Sequence, residues 1–248
     1  MGTKLSSLNI ILWNAQSIKP KSIELFDFLK QESIHICLVT ETWLLDNENI
    51  YDPGFSVYRL DRPGKPNSKG TLIGHGGVSI LIRNNINHKL LPSFNLKIIE
   101  AIGIKVFTDI GDIIFIAAYF PGTSDSSKFQ FFKMDLQKLT NQNNPYFIGC
   151  DLNAKNQAWN CIRGNRTGKI LHTESQIKNF DVLFPPTPTH YSKKSKYPST
   201  LGLLLTNYTE LISHLQTKDR LSSDHQFKTQ ILKIEMASHT IGKLTVRF

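Results

Sequence analysis

Short apolar runs alternate along this chain with segments whose apolar residues recur every three or four positions. Residues 8–13 (LNIILW) and 34–40 (IHICLVT) are nearly continuous apolar runs, and each ends on a polar residue, Asn14 and Glu41. Runs of that length and content predict buried strands. Between them, residues 23–31 (IELFDFLKQ) place Ile23, Phe26 and Leu29 at three-residue spacing with Leu25 and Phe28 beside them, which predicts a helix with one apolar face. Strand, helix and strand within residues 8–40 make a βαβ-like unit, so a layered α/β or α+β domain is the natural class.

Residues 52–77 hold Pro53, Pro63, Pro66 and several glycines; they predict a loop leading through Gly76-Gly77 into a strand at 78–83 (VSILIR). Residues 98–107 and 112–119 flank Asp109-Ile110-Gly111 and predict a hairpin. An amphipathic helix is expected at 129–139 and a strand at 145–150 (PYFIGC), ending at Asp151. A Pro-, Ser- and Lys-rich loop at 184–200 separates these from closing strands at 201–206 and 227–234. With no repeat and no interdomain linker, residues 1–235 are expected to form one domain and 236–248 a tail.

Composition narrows the class. A chain of 248 residues is long enough to bury a core, and 40% hydrophobic with 10% aromatic residues excludes a disordered polymer. The longest apolar run, 113–120, falls short of the ~20 residues a membrane helix requires. No signal-peptide pattern opens the chain. Cys37, Cys150 and Cys161 are odd in number and lack CxxC spacing, which argues against a disulfide scaffold or a zinc knuckle. A reduced, soluble, intracellular protein with no membrane association and no small-molecule cofactor is expected. Twenty-nine Lys+Arg against 20 Asp+Glu give +9, a charge that suits a polyanionic partner but also an ordinary solvated surface.

Candidate chemistry lies at the strand ends. Asn14, Glu41, Tyr119 and Asp151 each fall at or just past the C-terminal end of an apolar strand, where layered α/β folds gather their sites. Glu41 and Asp151 are hard oxygen donors of the kind Mg²⁺ prefers. Asn153 can donate its amide to a phosphate oxygen, and Ser223-Asp224-His225 sets a carboxylate beside an imidazole just before the last strand. Together they supply a metal site, a water-orienting base and donors for a charged transition state. Taken singly, each also reads as a cap, a turn residue or, for Tyr119, a core aromatic. His75 reads as a turn residue before a strand, and Cys150 and Cys161 as ordinary buried thiols.

The ordered set LWNAQS, TETW, HGGVSILIR, AAYFPG, GCDLNAKNQAW, PTH and SSDH resembles the endonuclease/exonuclease/phosphatase superfamily, and within it the endonuclease domain of jockey-like non-LTR retrotransposons. DLNAKNQAW is the most specific of these runs, and the resemblance spans residues 5–235. It implies a four-layer α/β sandwich, two mixed sheets packed face to face with helices outside. It also implies Mg²⁺- or Mn²⁺-dependent hydrolysis of phosphodiesters in double-stranded DNA, in the nucleus, leaving a 3′-OH that primes reverse transcription. Carried over, Glu41 holds the metal with Asn14 beside it and Asp224 as a further metal-side carboxylate. Asp151 orients or deprotonates the attacking water and Asn153 contacts the scissile phosphate. Tyr119 and His225 face the phosphoryl oxygens, and Thr189 and Ser223 are secondary phosphate or hydrogen-bonding positions. No polymerase motif is found in residues 236–248, so the reverse transcriptase part is expected to be absent.

One position departs from the pattern. Where the family carries an Asp that orients the catalytic His, this chain has Gly202. His225 is therefore expected to be less well oriented and less readily protonated, and the alternative to an active nuclease is an impaired DNA-binding remnant. Another carboxylate, Asp181 or Asp219, is the candidate replacement. Two basic stretches flank the presumed site: Arg163, Arg166 and Lys169, and Lys193, Lys194 and Lys196 between aromatics. Such side chains neutralise phosphates without reading sequence.

Overall fold

Two βαβ crossovers organise the chain, one in each of two sheets. The first is β1 (Ser7–Asn14), α1 (Ser22–Gln31) and β2 (Ile36–Thr40), with β1 and β2 parallel. β3 (Phe55–Leu60), β4 (Lys65–Pro66), β5 (Leu72–Ile73), β6 (Val78–Arg83), β7 (His88–Leu90) and β8 (Glu100–Thr108) follow. The second crossover is β9 (Gly111–Tyr119), α2 (Lys128–Thr140) and β10 (Tyr146–Asp151), again with parallel strands. Then come α3 (Arg166–Lys178), β11 (Asp181–Leu183), β12 (Gly202–Thr206), β13 (Ile212–Lys218) and β14 (Thr229–Glu235). The computed structural model describes residues 6–191, 197–218, 221 and 229–235.

The sheets run β13-β14-β1-β2-β6-β3 and β11-β12-β10-β9-β8-β7, with β4 and β5 forming a separate ribbon. Alternation along each strand sorts side chains into three cores. Ile10, Leu12, Leu38, Ile80, Phe115, Phe147, Leu204 and Leu232 fill the space between the sheets. Ile11, Trp13, Cys37 and Val39, one residue out of phase, pack under Leu25, Phe26 and Leu29 of α1. On the far side, Ile116, Ile148 and Leu203 pack under Phe132, Leu136 and Leu171 of α2 and α3. The order is thus helix, sheet, sheet, helices: the four-layer α/β sandwich expected from the sequence.

The structure corrects the reading in four places. Residues 52–77 are not only loop, because FSVYRL forms edge strand β3 and a two-residue ribbon follows it. α3 was hidden because its buried face is Thr167, Gly168, Leu171, Glu174 and Ser175, helically spaced but mostly polar or small. β13 (ISHLQTK) is an edge strand without apolar alternation. Ile23, expected on the apolar face of α1, is 80% exposed, and Leu25, Phe26, Phe28 and Leu29 do the packing.

One buried carboxylate fixes the entry to β8. Asp135 of α2 is fully buried and accepts from the Lys97, Ile98 and Ile99 amides at 2.7–3.1 Å. Backbone donors without strand partners are satisfied there by one side chain.

Candidate active site

Register places the site. Glu100, Tyr119, Asp151 and Gly202 lie directly opposite one another across β8, β9, β10 and β12. Paired residues point to the same face of a sheet, and Tyr119 belongs to the inter-sheet core, so this row faces the other sheet. There Asn14 pairs with Thr40 and Leu12 with Gln230. The two rows meet at the carboxyl ends of the parallel strands. The Asn14 Nδ2 donates to Glu41 Oε1 and to Asp151 Oδ2, both at 2.8 Å. Its Oδ1 accepts from the Gln16 amide at 3.3 Å, so Asn14 presents donors, not its oxygen, to the carboxylates.

Glu41 reaches this point through an unusual backbone. Glu41 and Trp43 have φ of 54° and 52°, the left-handed region, which costs non-glycine residues about 1–3 kcal/mol each. The run Gly74-His75-Gly76-Gly77 holds it in place: the Thr42 and Trp43 amides donate to the Gly77 and Gly76 carbonyls at 3.3 and 2.9 Å. A Cβ on Gly74 would overlap the Trp43 carbonyl, and one on Gly77 the Thr42 hydroxyl. These glycines permit a close approach that the sequence suggested only as a turn. His75 sits in that turn.

Asp151 is buried, and its Oδ1 accepts from the Asn153 amide at 3.1 Å. Burial above all, and then the Glu41 charge, raise its pKa to about 7, against the Asn14 and Asn153 hydrogen bonds and Lys155. Asn153, at φ 48°, donates its side-chain amide to the Phe120 carbonyl at 2.9 Å. The Tyr119 hydroxyl is held well above its usual pKa by burial and by the Glu41 and Asp151 charges, so it stays a proton donor. Arg62 lies over its ring, 5.8 Å from the centroid, and is paired with Glu100, whose Oε2 accepts from the Gly77 amide at 2.6 Å. Sequence reasoning missed Arg62 and Glu100. One sits in a Pro-rich segment and the other at a strand start, with no local pattern to mark them.

The DLNAKNQAW run is a scaffold as well as a signature. Trp159 is buried with its Nε1 donating to the Ala154 carbonyl at 3.0 Å. Asn165 caps α3 by accepting from Gly168 at 2.8 Å, accepts from the Lys155 amide at 2.9 Å, and donates to the Asn153 carbonyl at 2.7 Å. Arg163 and Arg166 are exposed beside it, over the Tyr197 and Phe129 rings at 5.9 and 5.1 Å. Thr189 is buried, its hydroxyl oxygen accepting from the Leu201 and Gly202 amides at 2.9 and 3.0 Å. Lys193, Lys194, Lys196, Asp219, Ser223, Asp224 and His225 lie outside the described residues. Asp181 is at the far end of β12, paired with Thr206, and so does not replace a carboxylate at Gly202. All three cysteines are buried and free.

Among the described residues no group of three or more His, Cys, Asp or Glu side chains stands ready for a metal. Glu41 and Asp151, both hydrogen-bonded to one amide, form a two-carboxylate set in which burial first and the Glu41 charge second raise Asp151. That set fits Mg²⁺, which binds through one or two carboxylates and keeps several waters. No helix among the described residues is long and apolar enough to cross a membrane.

Residues 113–229 match a sequence family described as Endonuclease-reverse transcriptase. The RNA-directed DNA polymerase from mobile element jockey of Drosophila melanogaster is 30% identical over 221 residues, 88% of this chain and 23% of that protein. Its counterpart from Drosophila funebris is 28% identical over 221 residues, with the same coverage. The chain spans about a quarter of the length of these curated relatives. Among solved structures, the endonuclease domain of TRAS1, a telomere-specific non-LTR retrotransposon, superposes with a TM-score of 0.68 at 17% identity, covering 92% of this chain and 98% of that one. An AP endonuclease from Leishmania major gives 0.67 at 13%, covering 93% and 88%. At such identities the likeness is one of fold.

Proposed function

We propose that the chain is a divalent-metal-dependent DNA endonuclease of the endonuclease/exonuclease/phosphatase superfamily, in its endonuclease–reverse transcriptase branch, a reading supported by the family match over residues 113–229, the jockey relatives and the shared fold. The observation that carries this reading is the Asn14 amide shared between Glu41 and Asp151, which joins the two sheets at one polar point. Glu41 would hold Mg²⁺ or Mn²⁺, with Asp224 as a further metal-side carboxylate. When bound, the cation supplies positive charge against the phosphate and the departing oxygen.

The chain's own groups do the rest. Asn14 fixes both carboxylates at a set separation. Asp151, anchored by the Asn153 amide and with a pKa near 7, orients the attacking water and accepts its proton. The Tyr119 hydroxyl, kept protonated, donates to a phosphoryl oxygen, and the same role is assigned to His225. Asn153 and Ser223 complete the phosphate surroundings, while Thr189, buried, holds the start of β12. Arg163, Arg166, Lys193, Lys194 and Lys196 bind the duplex backbone.

The product chemistry tests this. Plasmid nicked by the protein with Mg²⁺ is expected to carry 3′-OH ends that a DNA polymerase extends directly. Ends that extend only after phosphatase treatment would overturn hydrolysis that leaves the 3′ oxygen free. The second reading, a remnant that binds DNA without cutting, draws on Gly202 alone, and the same plasmid remaining intact would favour it.

A further inference from the structure

The place left open by Gly202 is not empty. Gly202 and Leu204 alternate along β12, and Leu204 faces the inter-sheet core, so a side chain at 202 would enter that same space. On the opposite sheet Gln230 alternates with Leu232 and Ile234, also inter-sheet residues. The two positions face each other. A Cβ on Gly202 would overlap the Gln230 Nε2, with the Thr189 hydroxyl 3.6 Å away. Gln230 is 1% exposed, and its Oε1 has no hydrogen-bond partner among the described residues. A buried amide oxygen without a donor costs free energy that a Leu there would not. Gln230 lines the same cavity as Asn14, Asp151 and Thr189.

We propose that Gln230 is a positioning residue of this site: its carboxamide fills the space opposite Gly202 and offers the cleft a neutral hydrogen-bond acceptor from the other sheet. This rests on the nuclease reading for its catalytic half, while its packing half does not. Gly202 and Gln230 are then one coupled choice. A carboxylate at 202 and a carboxamide at 230 compete for the same volume. Introducing the Asp alone pushes the end of the Gln230 side chain aside in a space where burial leaves it little room to move, and sets a buried charge against an amide, whereas shortening Gln230 at the same time makes room for it.

Four variants decide it: Gly202→Asp, Gln230→Leu, Gln230→Ala and Gly202→Asp/Gln230→Ala, each melted and assayed for plasmid nicking with Mg²⁺. Gly202→Asp alone is expected to lower Tm by roughly 5 °C or more, a shift of the size overpacking produces in a chain this long. The double variant is expected to melt above Gly202→Asp. Gln230→Leu is expected to keep its Tm while kcat falls about tenfold at unchanged KM, as happens when groups that act in the transition state lose their positioning but substrate binding does not. The double variant is expected to recover much of the nicking lost in Gln230→Ala, because the acceptor returns from the facing strand. A wild-type Tm in Gly202→Asp overturns the packing claim, and wild-type kcat in Gln230→Leu overturns the positioning role. An inactive wild type sinks the nuclease reading and with it the positioning role, while the melts still decide the packing claim.

Discussion

Asn14 and Asp151 stand 137 positions apart in the chain and on different sheets, yet the Asn14 Nδ2 and the Asp151 Oδ2 are 2.8 Å apart. The same amide group also reaches Glu41 at 2.8 Å. Asn14→Ala removes the donor to both carboxylates and leaves them to repel. Nicking is expected to slow about 100-fold, the scale lost with one preorganised donor, and the Mg²⁺ concentration giving half-maximal rate is expected to rise. A Mg²⁺ titration of initial rates measures both; an unchanged titration curve would show that the clamp is dispensable.

The raised Asp151 carboxyl makes stability depend on pH. Its pKa is about 7 in the folded chain against an ordinary 3.8. Between those values the folded state holds a proton that the unfolded state does not, so this contribution is complete below pH 3.8 and is lost as pH rises through about 7. His35, His75 and His190, which burial holds below 6.5, act in the opposite sense, so the comparison must be made against Asp151→Asn. In EDTA, the wild-type Tm is expected to fall relative to Asp151→Asn between pH 5.5 and pH 8. Added Mg²⁺ is expected to raise the wild-type Tm more at pH 8, where the carboxylate is charged. Parallel curves for the two proteins would refute the assignment.

Arg62 joins Tyr119 to Glu100. Its guanidinium pairs with Glu100 while lying over the Tyr119 ring. Arg62→Ala leaves the half-buried Glu100 carboxylate with only the Gly77 amide, and a loss of about 2 kcal/mol is expected, the scale of a lost hydrogen bond to a charged group. Arg62→Ala/Glu100→Gln is expected to regain part of it. Urea unfolding of the two variants gives the comparison, and equal stabilities would mean the pair is not coupled.

Arg163 and Arg166 are exposed at the start of α3, next to the loop that carries Asn153. Each is expected to neutralise one backbone phosphate. Changing both to Ala should reduce the salt slope of duplex binding by roughly 0.9 per lost contact. Fluorescence anisotropy at several salt concentrations reads that slope directly. A weaker affinity with the original slope would mean the residues act through structure instead.

Much of this architecture was legible because its signals are local. The runs at 8–13 and 145–150 are apolar on both faces, as strands covered on one side by a sheet and on the other by a helix must be. Asn14, Glu41, Tyr119 and Asp151 could be picked out because each interrupts such a run at its end. α3 could not, because Thr167, Gly168, Glu174 and Ser175 occupy its buried face and Gly168 packs against the Lys155 carbonyl. Its two ends did carry a signal, Asn165 as N-cap and left-handed Asn179 as C-cap. Gly202 was visible as a departure from the family pattern, but Gln230 was not. Only the facing of two strands from different sheets relates them. Arg62 and Glu100 share that character, being meaningful only as partners of Tyr119.

Metal-dependent nicking of supercoiled plasmid, wild type beside Asp151→Ala, tests the central claim most directly. Open circles are expected from the wild type with Mg²⁺, none with EDTA, and none above background from Asp151→Ala at equal protein and equal duplex affinity. Open circles at the same rate from both proteins, or from the wild type in EDTA, would contradict it.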